Sequence, residues 1–137
     1  MLIWIFAYAG AALAMLALDA AWLTFAAKRL YRPELGNMLA EGFRLAPAAT
    51  FYFLYVGGIV FLAVAPGLEA GKWTVAATRG AALGFIAYAT YDLTNQATLR
   101  QWSTLVTVAD MAWGTVLTAI AATAGFAAAR WASATFG

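Results

Sequence analysis

The sequence predicts an all-α fold, an integral membrane bundle of four transmembrane helices, on three observations. The first is composition: of 137 residues, 65% are apolar and 10% charged, against roughly 25% charged in a soluble domain. A soluble domain of this size exposes too much surface for its volume to hide so many apolar side chains; a bilayer removes the need. The second is segmentation. Apolar runs divide the chain into four stretches, each matching or exceeding the ~20 residues that cross ~30 Å of hydrocarbon. The third is the placing of Lys and Arg, which collect between the runs. Composition also excludes. With no Cys and no His, disulfides, thiol chemistry and thiolate or imidazole metal sites drop out, and neither a metal nor a cofactor is expected. A net charge of +2 is too small to predict a nucleic-acid partner. Membrane lipids are the expected partners.

The first span is expected at residues 2–26, with Asp19 its only formal charge. No basic stretch precedes it, it is long, and it carries a carboxylate, so it reads as a retained span rather than a secretory signal. The second, 45–64, has Pro47 in its first turn, where a missing N–H does no harm. The third, 75–99, holds Arg79 near one end and Asp92 near the other; the fourth, 102–129, contains Asp110. In hydrocarbon each must be helical, because only a helix satisfies the backbone within one segment. All belong to one domain, residues 1–137. In the first connection, "ELGNMLAEGFR" sets Leu35, Met38, Leu39 and Phe43 on one helical face and Glu34, Asn37, Glu41 and Arg44 on the other. That predicts a short helix lying in the membrane interface; a loop folded over the bundle end fits the same residues.

Basic residues orient the spans. Lys28, Arg29, Arg32, Arg44 and Arg100 mark the first and third connections, five against the three of the opposite side, Lys72, Arg79 and Arg130. The first and third connections are therefore expected to be cytoplasmic and both termini periplasmic. Trp4, Trp73 and Trp131 fall at the predicted outer boundary, Trp22 and Trp102 at the inner one, as interfacial indoles do. Trp113 lies well inside a span.

Three of the six acidic residues sit within spans, at similar depth towards the cytoplasmic end. An Asp near a helix centre costs ~2.5–3.5 kcal/mol on insertion scales. Each shares a helical face with other polar or aromatic residues. On the third span Gly84, Tyr88, Asp92 and Asn95 follow one stripe, with Tyr91 adjacent; on the first, Tyr8, Ala12, Met15, Asp19 and Trp22 do. On the fourth, Thr107, Asp110, Gly114 and Thr118 share a face with Trp113 one turn along, and the second offers Tyr52 and Tyr55. Turned inwards, as intramembrane polar faces usually are, they build one polar, aromatic-walled pocket open to the cytosol. Its candidate substrate-binding residues are Asp19, Trp22, Tyr52, Tyr55, Tyr88, Tyr91, Asp92, Asn95, Asp110 and Trp113. Gly80-x-x-x-Gly84, Gly57-Gly58 and Gly114 supply thin patches through which such a bundle closes. In "DAAW" (19–22) and "DMAW" (110–113) the i, i+3 spacing lets each indole N–H approach the carboxylate one turn away. As interhelical glue alone, each acid returns only ~0.6–2 kcal/mol. Their insertion cost exceeds that return, which favours a functional role.

The phrases "LDAAWL", "FYFLYVGGI", "GAALGFIAYATYDLTNQATLRQW" and "VADMAWG" resemble an uncharacterised family of small bacterial inner-membrane proteins, domain of unknown function 2177. The resemblance implies a four-helix membrane protein of the bacterial inner membrane. It points to Asp19, Tyr52, Tyr55, Tyr91, Asp92, Thr94, Asn95, Asp110 and Trp113 as motif positions, and it brings no established activity.

Three functions fit these residues. The first is a pocket that binds or processes an amphipathic, lipid-like molecule, with acid–base chemistry by paired carboxylates as the reaction open to it. The second is a small proton-coupled transporter, assembled as a homo-oligomer because four spans are few for a transport path. The third is an assembly subunit whose acids pair with a membrane-protein partner.

Overall fold

The computed structural model describes residues 1–40 and 44–137, and every regular element among them is helical. Four helices account for the described residues: α1 (Leu2–Met38) and α2 (Leu45–Ala70), α3 (Trp73–Thr98) and α4 (Thr104–Phe136). By length and composition α1, α2 and α4 are each apolar enough to cross a membrane. α3 is more polar, and its local bonding makes that tolerable. Thr78, Thr90, Thr94 and Thr98 each donate to the carbonyl four residues earlier, which satisfies the hydroxyls within the helix.

α4 is the central helix. Its buried residues run from Val106 and Thr107 through Asp110, Gly114, Leu117 and Thr118 to Ala121, Ala122 and Gly125, the spacing of a continuous packing face. α1 lies antiparallel to it, with Gly10 against Ala124 and Asp19 beside Trp113. α3 lies antiparallel along another side and comes closest at two glycines. A Cβ built on Gly84 would stand 2.1 Å from the Gly114 carbonyl oxygen, and one on Gly114 would stand 2.2 Å from the Tyr88 ring. Gly57 and Gly58 do not share this role. A Cβ on either meets nothing within 4 Å, so the expectation that this pair helps to close the bundle is corrected. α2 packs through its far half, where Ile59, Ala63 and Val64 are buried and Gly67 meets Ala76 of α3. Its first half leaves Phe51, Phe53 and Leu54 exposed.

Two π turns explain why two helices outrun their expected ends. α1 continues past Ala26 through a π turn (Ala27–Tyr31), an α turn (Arg32–Leu35) and a 3-10 turn (Gly36–Met38). Of the short helix expected over residues 34–44, only the part up to Met38 is helical, and it is joined to the first span. Leu39 is extended, which corrects the rest as far as it is described; the Glu41 and Phe43 positions lie outside the described residues. α2 continues past residue 64 because a π turn (Val60–Val64) precedes Pro66. The wider turn accommodates a residue that has no N–H and crowds the carbonyl four positions back. That carbonyl, of Leu62, accepts instead from Arg79 Nη1 at 3.5 Å. Gly71, with φ of 67°, ends the helix in the left-handed conformation that glycine adopts without strain. α4 begins at an ordinary cap, Ser103 Oγ accepting from Val106 N at 3.3 Å.

Candidate functional site

The three intramembrane acids converge towards the end of the bundle that bears the first and third connections. On Asp19 three helices meet: Tyr52 OH of α2 donates to Oδ2, and Trp113 Nε1 of α4 donates to Oδ1 at 3.3 Å. Asp110 accepts from Tyr31 OH, whose oxygen accepts in turn from Trp22 Nε1 at 2.9 Å. Trp22 and Trp113 stack on one another with centroids 4.7 Å apart and planes 10° from parallel. The two D-x-x-W stretches therefore brace each other across the α1–α4 interface. Trp113 serves Asp19, and Trp22 serves Asp110 through Tyr31. The expected contact between each indole and the carboxylate of its own helix is corrected. Trp113 N–H crosses directly to Asp19 of α1, whereas Trp22 N–H stays on Tyr31 of its own helix, and it is the Tyr31 hydroxyl that crosses to Asp110.

Asp92 sits differently. It is 0% exposed, and neither carboxyl oxygen meets a hydrogen-bond donor among the described residues. Its neighbour is the carboxyl group of Asp110 on α4. Two carboxylates side by side in a low dielectric repel, and neither has a hydrogen to give.

Around this core, Tyr55 OH and Thr118 Oγ1 share a buried hydrogen bond of 2.7 Å, and Tyr88 lays its ring over Gly114. Tyr91 is 58% exposed and stands edge-on to Trp102 at 5.9 Å, with Asn95 beside it. The structure thus gathers Asp19, Trp22, Tyr52, Asp92, Asp110 and Trp113, walls them with Tyr55 and Tyr88, and leaves Tyr91 and Asn95 at the margin. Trp22, expected at a membrane boundary as well as in the site, is fully engaged in the site.

The open space lies to one side of the acids. A groove of about 510 Å³ runs between α1 and the first half of α2, from Tyr8 and Phe53 past Ala12, Leu16 and Ala49 to Asp19, Tyr52 and Leu23. At 1.5 Å per residue, Tyr8 to Leu23 is about 22 Å of helix. Leu16, Leu23 and Phe53 along its lips are exposed, so it opens on the flank of the bundle. This differs from one end-open pocket shared by three acids: Asp19 lines an open groove, and Asp92 and Asp110 are enclosed beside α4.

Comparison with known proteins places the chain. A family model described as predicted membrane protein (DUF2177) matches residues 4–127. The chain belongs to the DUF2177 family. Comparisons with curated proteins and with solved structures gave no match.

In this DUF2177 chain the site residue missed from the sequence is Tyr31. In an uninterrupted helix, position 31 lies about 120° from position 19 around the axis. The π turn adds one residue and brings Tyr31 back close to the phase of i, i+11, on the Asp19 face. The only signal was a tyrosine inside a basic connection, "AKRLYRPEL". Tyr31→Phe removes the donor to Asp110 and is expected to cost about 1–3 kcal/mol, the usual penalty for leaving a buried polar group unpaired. Thermal unfolding in detergent checks this, with exposed Tyr91→Phe as the variant expected to match wild type.

Proposed function

We propose that this membrane protein binds or processes an amphipathic, lipid-like molecule that enters sideways from the bilayer into the α1–α2 groove and sets its polar end against Asp19 and Tyr52. The groove carries the reading. It is apolar for most of its length, it opens on a flank of exposed leucines and phenylalanine, and about one turn from one end it presents a carboxyl group held by two donors. Its volume falls within the roughly 300–1,000 Å³ of small-molecule sites. The proposed setting is a bacterial inner membrane, with the first and third connections cytoplasmic and both termini periplasmic, so the polar end of the groove lies nearer the inner leaflet. The chemistry open to such a site is proton transfer. The Asp92–Asp110 pair stands behind Asp19 and is braced to it by packing, through Tyr31, Trp22 and the Trp22–Trp113 ring stack, which carries no proton.

Filling the groove tests the reading. Ala12→Phe places a ring midway along it, on a face already turned to the opening. Mass spectrometry of small molecules retained by the purified protein should then show at least a tenfold loss of the amphiphile carried by wild type. Unchanged retention by a folded Ala12→Phe variant overturns the proposal. Asp92 favours a second reading, a proton-coupled carrier, since an enclosed carboxyl that meets no donor among the described residues is a place to load and unload a proton. Flux across vesicles that depends on an imposed pH gradient separates the two.

A further inference from the structure

We infer that the polar end of the α1–α2 groove selects a protonated amine, which makes the ligand a single-chain cationic amphiphile. The inference rests on the groove reading above and adds charge and chain number to it. Tyr52 and Trp113 each give the Asp19 carboxyl a neutral hydrogen bond. These satisfy lone pairs and bring no positive charge. No Lys or Arg is among the described residues that line the groove, so an ionised Asp19 would find its compensating charge in what occupies it. The flanking side chains suit an ammonium group. Tyr52 stands at the acid, where an aromatic ring attracts a nearby cation by ~0.5–2 kcal/mol, whereas Tyr8 and Phe53 lie at the far end of the groove, along the chain.

A phosphate head would meet like charge at Asp19 with no guanidinium or ammonium to hold it, and phosphate recognition depends on those groups. An alcohol head can hydrogen-bond, yet it leaves the carboxylate's charge unmatched. Chain number follows from shape. The groove is one furrow between two helices, and a second cleft on α2, lined by Phe51, Ala87, Tyr88 and Tyr91, lies on the α3 side with no acid among those residues. α2 itself separates the two, so a second chain of the same molecule has no adjoining furrow to enter.

The test offers the detergent-solubilised full chain equal concentrations of hexadecylamine, hexadecanol and hexadecyl phosphate, with retention read by native mass spectrometry. Wild type should retain the amine at least tenfold over either competitor. Asp19→Asn, which keeps an oxygen for Tyr52 and Trp113 to bond, should lower amine retention to the level of the alcohol and leave the alcohol unchanged. Wild-type selectivity reads head-group charge without any substitution, so the test survives misfolding of Asp19→Asn. Retention of the phosphate or the alcohol as strongly as the amine overturns the amine inference and leaves the groove reading standing. Retention of none of the three, or retention indifferent to Ala12→Phe, overturns both.

Discussion

Gly84→Ala should lower the unfolding temperature of the bundle markedly in detergent, while Gly57→Ala should leave it unchanged or raise it. Alanine replacing glycine within a helix ordinarily gains about 1 kcal/mol from reduced backbone freedom. At Gly57 nothing within 4 Å opposes the added methyl group. At Gly84 the methyl carbon would stand 2.1 Å from a backbone oxygen of α4, with Gly114 as its owner. Backbone cannot rotate away as a side chain can, so α3 and α4 must part along their contact. Overpacking of that kind costs about 1–3 kcal/mol, sometimes more, and in lipid little replaces lost packing because acyl chains are as apolar as the helices. Gly114→Ala meets the Tyr88 ring instead and should be the milder variant. Equal stability of Gly84→Ala and Gly57→Ala would show that α3 and α4 do not cross at these glycines. The separation would reach the acids too, because Asp92 is carried on α3 two turns beyond Gly84 and faces Asp110 of α4.

What is legible in the sequence is what a regular helix preserves. Thr107, Asp110, Gly114 and Thr118 share one face by spacing and are all buried along α4. The Gly80-x-x-x-Gly84 patch likewise lies on a single face, and both glycines are buried against α4. Legibility ends where the period breaks or where two helices must be registered against each other. Tyr31 reaches Asp110 only because a π turn shifts its phase, and no residue pattern announces that shift. Pro66 reads as a helix terminator, yet the π turn before it carries α2 on to Ala70. The exchange of partners between Trp22 and Trp113 depends on how far α1 and α4 slide along one another, which neither tetrapeptide contains. The groove is less legible still. It exists because the first half of α2 stands away from α1, held there by tyrosine hydroxyls: Tyr8 on the Phe53 carbonyl at 3.0 Å and Tyr52 on Asp19. That lean belongs to the assembled bundle and to no single face.

Asp92→Asn should insert, fold and unfold like wild type to within about 1 kcal/mol, and should nonetheless behave as a deletion in any assay where loss of the protein has a phenotype. The folding half of this expectation follows from the surroundings of Asp92. The carboxyl is enclosed, and the Asp110 carboxyl is the polar group it faces. An amide of nearly the same volume supplies a permanent N–H donor towards Asp110 and removes the repulsion between two facing carboxyl groups. Asp92→Leu tests the same point from the other side. It takes a facing polar group from Asp110, which keeps its bond from Tyr31, and is expected to cost no more than the ~1–3 kcal/mol of leaving a buried group short of a partner. The functional half follows from what an amide does not do. It neither takes up nor releases a proton, so any step that moves a proton through the Asp92–Asp110 pair stops, whether in chemistry on a bound amphiphile or in coupled transport. A group that adds nothing to stability and is required for activity is the usual mark of a working site. Unfolding curves for the two variants, set beside complementation of a deletion strain, separate the halves. Full complementation by Asp92→Asn would make the pair a structural hydrogen bond and leave Asp19 as the acid on which function depends.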